Sequence, residues 1–195
     1  MMRMRLQTCV WTIAIALALA GLFPAGAAAQ QPAKKDNPAN LISPTAGYLE
    51  VWNDIGRKLI AMAEDFPEDK YDYRPMPDSR TFQQLMLHAA GTVYYFQALV
   101  AGQAPPEGDP KPEQYKTRAA LVAFVKKAMA DGAAMIEKGG DAGFAKPMLI
   151  GAKQKPNNPH AIWADLCEHT GEHYGQMVVY YRNNGLVPPE SRPKK

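Results

Sequence analysis

The sequence predicts an all-α protein, a four-helix bundle that follows a cleaved N-terminal signal peptide. Four stretches of roughly twenty residues carry apolar positions at spacings of three and four, the stripe of a core-facing helix. No run alternates apolar and polar residues at the strand period, and Pro- and Gly-rich breaks separate the four stretches. There is no internal repeat. About 165 residues remain after the signal, one ordinary domain with room for a real core.

Residues 1–29 have the three parts of an export signal. Arg3 and Arg5 form a basic start, "CVWTIAIALALAGLF" is apolar, and Ala27-x-Ala29 supplies the small residues at which cleavage is expected. The alternative is an uncleaved anchor, but the apolar run falls short of the roughly 20 residues that a spanning helix needs. The expected product is exported, periplasmic or secreted, with no stable membrane anchor after cleavage. Removing Arg3, Arg5 and Cys9 from the totals leaves 20 Lys+Arg against 19 Asp+Glu, with Cys167 as the one remaining cysteine. An intramolecular disulfide is then excluded, so stability rests on the hydrophobic core. The mixed, near-neutral charge gives no electrostatic footprint for nucleic acid or an anionic membrane.

Residues 30–45, "QQPAKKDNPANLISPT", are Pro- and Asn-rich without periodicity and read as a disordered leader before a bundle over 46–187 and a tail over 188–195. Helix one presents Tyr48, Trp52, Ile55, Leu59, Met62 and Phe66, and Pro67 ends it. Thr81 with Gln84 forms a capping-box start for helix two, which runs to about Val100; its expected inward face is Thr81, Leu85, His88, Thr92, Tyr95, Phe96 and Leu99. Helix three covers roughly Tyr115 to Lys138, with Leu121, Val125, Ala128 and Met135 inward and Gly139-Gly140 as its stop. Gly132 interrupts that helix at a cost of about 1 kcal/mol against Ala unless something packs closely there. The long connection over 139–158 has the length of a lid or wall. Helix four starts with Asn158 as cap and Pro159 at the first helical position, and Gly185 stops it. The long loops allow crossover connections, so the pattern leaves the topology open.

Helix four contains "CEHTGEHYGQ". His169 and His173 lie about 40° apart around the axis and about 6 Å apart along it, so both imidazoles reach one point. Ile162, Leu166, Met177 and Tyr180 share that side, which makes it the buried stripe. His88 sits midway along the inward stripe of helix two. Two imidazoles from one helix and one from another match the way bundle cores build metal sites, with one coordination position left open. The bland alternative is three core histidines hydrogen-bonded to neighbours, but burying three imidazoles without a shared partner costs desolvation for no return. Imidazole suits Zn, Ni, Cu and Fe alike.

Asp165, one turn before His169, is placed to accept from an imidazole N–H or to add a ligand. Gln176 is placed to hold a metal-bound water or to bond between helices. Glu172 reads either as a general base or as a solvated carboxylate. Cys167 falls on another face and reads as a packed thiol, and His160 as a solvent-facing first-turn residue.

"FPEDKYDYRPMPDSRTFQQLMLHAAG" followed by "HTGEHYGQMVVYYRNNGLVPP" resembles the DinB-like (DinB/YfiT) superfamily of four-helix metal-binding proteins, over nearly the whole chain after the signal. The marks are Y-x-x-R-P from Tyr71 to Pro75, the "RTF…H" helix start, H-x-x-x-H-x-G-Q and "NNGLVPP". The resemblance implies a divalent metal, often zinc or nickel, held by His88, His169 and His173. Tyr174 stands where the family usually carries a basic residue. Known members include transferases and isomerases that use low-molecular-weight thiols, but export argues against a cytoplasmic cosubstrate. No basic cluster awaits a thiol's carboxylates, although Lys146, Lys153 and Lys155 lie in the long connection. The expectation is a metal-dependent hydrolase or transferase acting on a small molecule, with Glu172 or Asp165 handling protons. The alternatives are a non-catalytic metal- or ligand-binding module and a stress-associated protein. A homodimer is compatible with all three.

Overall fold

In the computed structural model, which describes residues 41–144, 146–150 and 155–193, Ser43 caps the first helix. Its hydroxyl accepts from the Ala46 N–H, and Pro44 takes the first helical position, where a missing N–H leaves nothing unpaired. The described residues belong to one unit, Asn40–Lys195. The expected signal peptide and the expected leader up to residue 40 lie outside them. Helix α1 spans Pro44–Asp65 and so takes in the end of the expected leader. It buries Trp52, Ile55, Leu59 and Met62, followed by Phe66, whose extended backbone turns the chain out ahead of Pro67.

Helix α2, Phe82–Val100, begins with the expected capping box: Gln84 N–H donates to Thr81 Oγ1 and Thr81 N–H donates to Gln84 Oε1. Its core face matches the expected one at Thr81 and Leu85, which are buried, but not beyond them. Phe82, Met86, Ala89, Ala90 and Val93 are buried, a stripe turned about 100° from the line through His88, Thr92 and Phe96. His88, Thr92 and Phe96 are half-buried and Tyr95 is exposed. The small Ala89 and Ala90 let neighbouring helices approach, while the bulkier residues stand beside a cavity.

Helix α3, Arg118–Phe144, buries Leu121, Val125, Ala128, Met129 and Ile136, so Ile136 rather than Met135 completes its stripe. The expected stop is real but local. Gly140 leaves helical geometry at φ 56°, a left-handed backbone that glycine adopts without a Cβ penalty, and a last turn follows it. Gly132 also has a packing reason: a Cβ there would lie 2.6 Å from Trp52 Cζ2, and the fully buried indole donates from Nε1 to the Met129 carbonyl at 2.9 Å.

The connection to the last helix includes a small hairpin, an addition to the all-α expectation. Strand β1, Met148–Ile150, pairs antiparallel with β2, Lys155–Asn157, with Leu149 opposite Pro156. Three-residue strands are too short to show a period in sequence. Helix α4, Pro159–Asn183, has Asn158 Oδ1 accepting from Ala161 N–H. It ends where Gly185, at φ 69°, lets Leu186 N–H reach the Tyr181 carbonyl and its own N–H reach that of Arg182. No helix among the described residues is long and apolar enough to cross a membrane.

Around the bundle the order is α1, α3, α2, α4, with α1 also against α4. Sequence neighbours α1 and α2 therefore sit on a diagonal, as do α3 and α4 apart from a minor contact. A diagonal partner cannot be reached by a tight turn, which accounts for the long connections from α1 to α2 and from α3 to α4 but not for the one from α2 to its neighbour α3. Between the helices, Phe66 stacks on Phe82 at 3.7 Å between ring centroids, and Tyr181 donates to the Met62 carbonyl. Full burial of each such side chain contributes about 1.5–3 kcal/mol. The C-terminal segment is tied to α1, with Glu190 paired to Arg57 and Arg192 to Asp65. The consequence for function is that α2 and α4 lie side by side and bring their histidines together.

Candidate metal centre

His88 on α2 meets His169 and His173 on α4, with ring centroids 5.2, 4.7 and 4.3 Å apart for the pairs 88–169, 88–173 and 169–173. One nitrogen from each ring lies within 4.8 Å of the other two. A tetrahedral ion bonded at 2.0–2.1 Å would hold three nitrogens about 3.3 Å apart, so small side-chain adjustments close the set.

The outer nitrogens fix how these rings face. Gln176 Oε1 accepts from His173 Nδ1 at 2.9 Å, which leaves Nε2 with its lone pair. That Nε2 is buried without a hydrogen-bond partner. An unsatisfied buried nitrogen costs about 1–3 kcal/mol, and a cation is the partner that two further imidazoles beside it suit. His88 Nδ1 is 2.7 Å from Asp109 Oδ1, so the carboxylate holds the proton on Nδ1 and frees Nε2. His169 Nε2 lies 3.2 Å from Thr92 Oγ1, whose own proton goes to the His88 carbonyl.

Burial drives the His169 pKa down to about 4, with the neighbouring His173 and His88 adding to the effect and Glu172 opposing it. His173 is lowered too, first by burial, against the opposing bond to Gln176. Both rings are neutral at neutral pH, the form that binds a metal.

The other expected residues are placed unequally. Gln176 is at the cluster. Glu172 is exposed, but its charge acts on His169 and His173. Asp165 is also exposed, and the described partner of the His169 ring is Thr92 instead. Cys167 is half-buried away from the cluster, its thiol pushed up to about 11 by burial. His160 is exposed and sets its ring edge-on to Tyr48. Lys146 and Lys155 are exposed, and Lys153 lies outside the described residues.

Asp109 and Arg80 are absent from the expected set. Asp109 lies in the Pro-rich break after α2, where sequence shows only a helix stop. Close packing brings it in: Gly91 has no side chain, and a Cβ there would meet Pro110 at 2.7 Å, so the break lies flat on α2. Arg80 Nη2 approaches Asp109 Oδ2 at 3.3 Å, and its charge is felt at both α4 histidines. A cavity of about 370 Å³ adjoins His88 and His169 and is walled by Thr92, Tyr95, Phe96 and Asp109 among others.

Fold and site together define a four-helix bundle with a three-histidine cluster suited to a divalent metal. The chain belongs to the DinB superfamily, whose family model matches residues 53–177. Its fold is similar to that of a DinB-like protein from Bacillus cereus, at 16% identity over 73% of this chain and 94% of that one, with a TM-score of 0.61. The DinB-like protein YjoA of Bacillus subtilis aligns at 19% identity over 76% of this chain and 99% of its own, with a TM-score of 0.60. YfiT of Bacillus subtilis, described as "a probable metal-dependent hydrolase with an unusual four-helix bundle topology", aligns at 15% identity over 77% and 94%, with a TM-score of 0.58. No curated protein matches the chain. At these identities the likeness carries the fold.

Proposed function

We propose that the protein is an exported metal-dependent enzyme, a hydrolase or transferase of small molecules, with zinc or nickel held by His88, His169 and His173. The observation that carries this is the buried, partnerless Nε2 of His173, set among two more neutral or carboxylate-oriented imidazoles beside a cavity. A divalent ion there supplies Lewis acidity to an oxygen or sulfur atom of a small molecule. Asp109, Gln176 and Thr92 orient the three rings. Glu172, exposed with its charge felt at His169 and His173, is the carboxylate we assign to take a proton. The description of YfiT supports the hydrolase half of the proposal.

A non-catalytic metal-binding module is the second reading. One observation favours it: neither Glu172 nor Asp165 is held against the cluster, and both are exposed.

Elemental mass spectrometry on tag-free protein lacking residues 1–29 tests the metal site, beside His88→Ala and His169→Ala. The expected result is stoichiometric metal in the parent and none in either variant. Parent protein that takes up neither zinc nor nickel refutes the proposal.

A further inference from the structure

The cavity shares His88 and His169 with the cluster, but the rest of its wall has a chemistry of its own. Its wall combines the aromatic rings of Tyr95 and Phe96 with Pro106, the bare backbone of Gly91 and the Thr92 side chain. Among the described residues no lysine or arginine lines it. The carboxylate of Asp109 does line it, but both oxygens are engaged, Oδ1 by His88 and Oδ2 by Arg80. Away from the histidines, a charged group carried into this space finds no free opposite charge, and an anionic one also meets Asp109. Leaving such a charge unpaired in a partly enclosed site is costly.

The aromatic rings point to what the space accepts. Tyr95 and Phe96 stand edge to face, 5.7 Å apart between centroids, and Tyr95 is 44% exposed, a large ring left facing solvent beside the cavity. Such rings pack against a further flat ring in offset or edge-to-face geometry and gain beyond the area buried. A volume of about 370 Å³ lies in the range of small-molecule sites and leaves space for one ring and a short substituent. The loop wall is held in place, since Gly91 admits Pro110 and Asp109 is tied to α2 through His88.

From these features we infer that the substrate is a small molecule with an uncharged, flat, mainly apolar body, aromatic or of similar shape, that lies against Tyr95 and Phe96. It presents one polar atom to the histidine cluster. This rests on the proposed metal site for the role of that polar atom, but the preference for an uncharged ring belongs to the cavity alone. It also separates this site from thiol cosubstrates whose bodies carry several carboxylates.

The test uses three hydroxamates with the same head group on the zinc-treated protein. Benzohydroxamate has a bare ring, 4-carboxybenzohydroxamate a charged one, and acetohydroxamate none. Dissociation constants come from calorimetry, contacts from saturation-transfer NMR, and zinc content from elemental analysis of the same samples. Benzohydroxamate is expected to bind at least tenfold tighter than acetohydroxamate and at least fivefold tighter than the carboxylated probe. Tyr95→Ala and Phe96→Ala should each erode the first advantage by threefold or more. Tyr95 is exposed, so its variant keeps the test sound if Phe96→Ala fails to fold. Equal affinity for the ring-free or the carboxylated probe overturns the inference, as does a ring advantage that survives in folded Tyr95→Ala. If the samples contain no zinc, the metal proposal fails by itself. The cavity is then judged by saturation transfer to the benzohydroxamate ring, which is expected to persist and to weaken in Tyr95→Ala; its absence overturns the inference.

Discussion

Replacing Asp109 by Asn should weaken metal binding without removing a ligand. The contact at stake is the 2.7 Å hydrogen bond from His88 Nδ1, which fixes the ring's tautomer and turns the lone pair of Nε2 to the cluster. Removing such an outer partner costs 10- to 100-fold in metal affinity, roughly 1.4–2.8 kcal/mol. The Asp109 side chain is 42% exposed, so solvent screens part of its charge and the expected loss is at the lower end, about tenfold. Asn keeps the volume and an accepting oxygen but not the charge. Zinc affinity measured by competition with a chromophoric chelator reads the effect, and His88→Ala sets the ceiling. The double variant is decisive: if Asp109 acts through His88, then Asp109→Asn should change nothing further once His88 is gone. Arg80→Gln controls for the second, 3.3 Å contact of Asp109 and should leave affinity within about threefold. An Asp109→Asn protein that matches the parent, or that loses as much in the His88→Ala background, would refute the reasoning.

Other outcomes follow from the packing and the charges. Gly132→Ala should destabilise the protein by about 1–3 kcal/mol in urea unfolding although alanine is the better helix former, because the new methyl meets the Trp52 ring at 2.6 Å. Gly175→Ala, with nothing within 4 Å of its Cβ, is the control and should gain up to about 1 kcal/mol; the same sign for both would sink the packing account. Asn158→Ala removes the cap of α4 and should cost about 1 kcal/mol by thermal melting. With metal removed, stability should fall as pH drops from 6.5 toward 4. In that window the unfolded chain protonates His169 while the folded chain, with its pKa near 4, does not. Above 6.5 both states are neutral and this contribution is flat, so a urea midpoint equal at pH 7 and pH 5, or a fall just as steep in His169→Gln, would count against the buried imidazole.

The bundle was legible in the sequence because each helix carries its own signals. Caps at Thr81 and Asn158, the stop at Gly185 and the stripe from Trp52 to Phe66 are local, and the structure shows each of them. The His169–His173 pair needed only the helical repeat. The inward face of α2 is legible at Thr81 and Leu85 but not beyond them, because helical spacing does not tell a core position from a cavity wall. Ala89 and Ala90 go to the core, where helices approach closely, and Tyr95 and Phe96 go to the cavity. The hairpin at 148–157 was too short for periodicity to reveal. Asp109 was out of reach for a different reason: its contact with His88 arises from how Pro110 settles on Gly91, a tertiary event with no spacing rule behind it.

The division of the cluster between two helices also bears on how long the molecule lasts. Cys167 is the sole cysteine among the described residues, so no disulfide joins distant parts of the bundle, but an ion shared by α2 and α4 would clamp them in the folded form alone. Such a clamp strengthens with supply: free metal at a hundred times the dissociation constant adds about 2.7 kcal/mol, and scarcity removes it. Proteases that sample the opened chain would then clear the protein faster when metal runs short, and its steady-state amount would track the metal available to it.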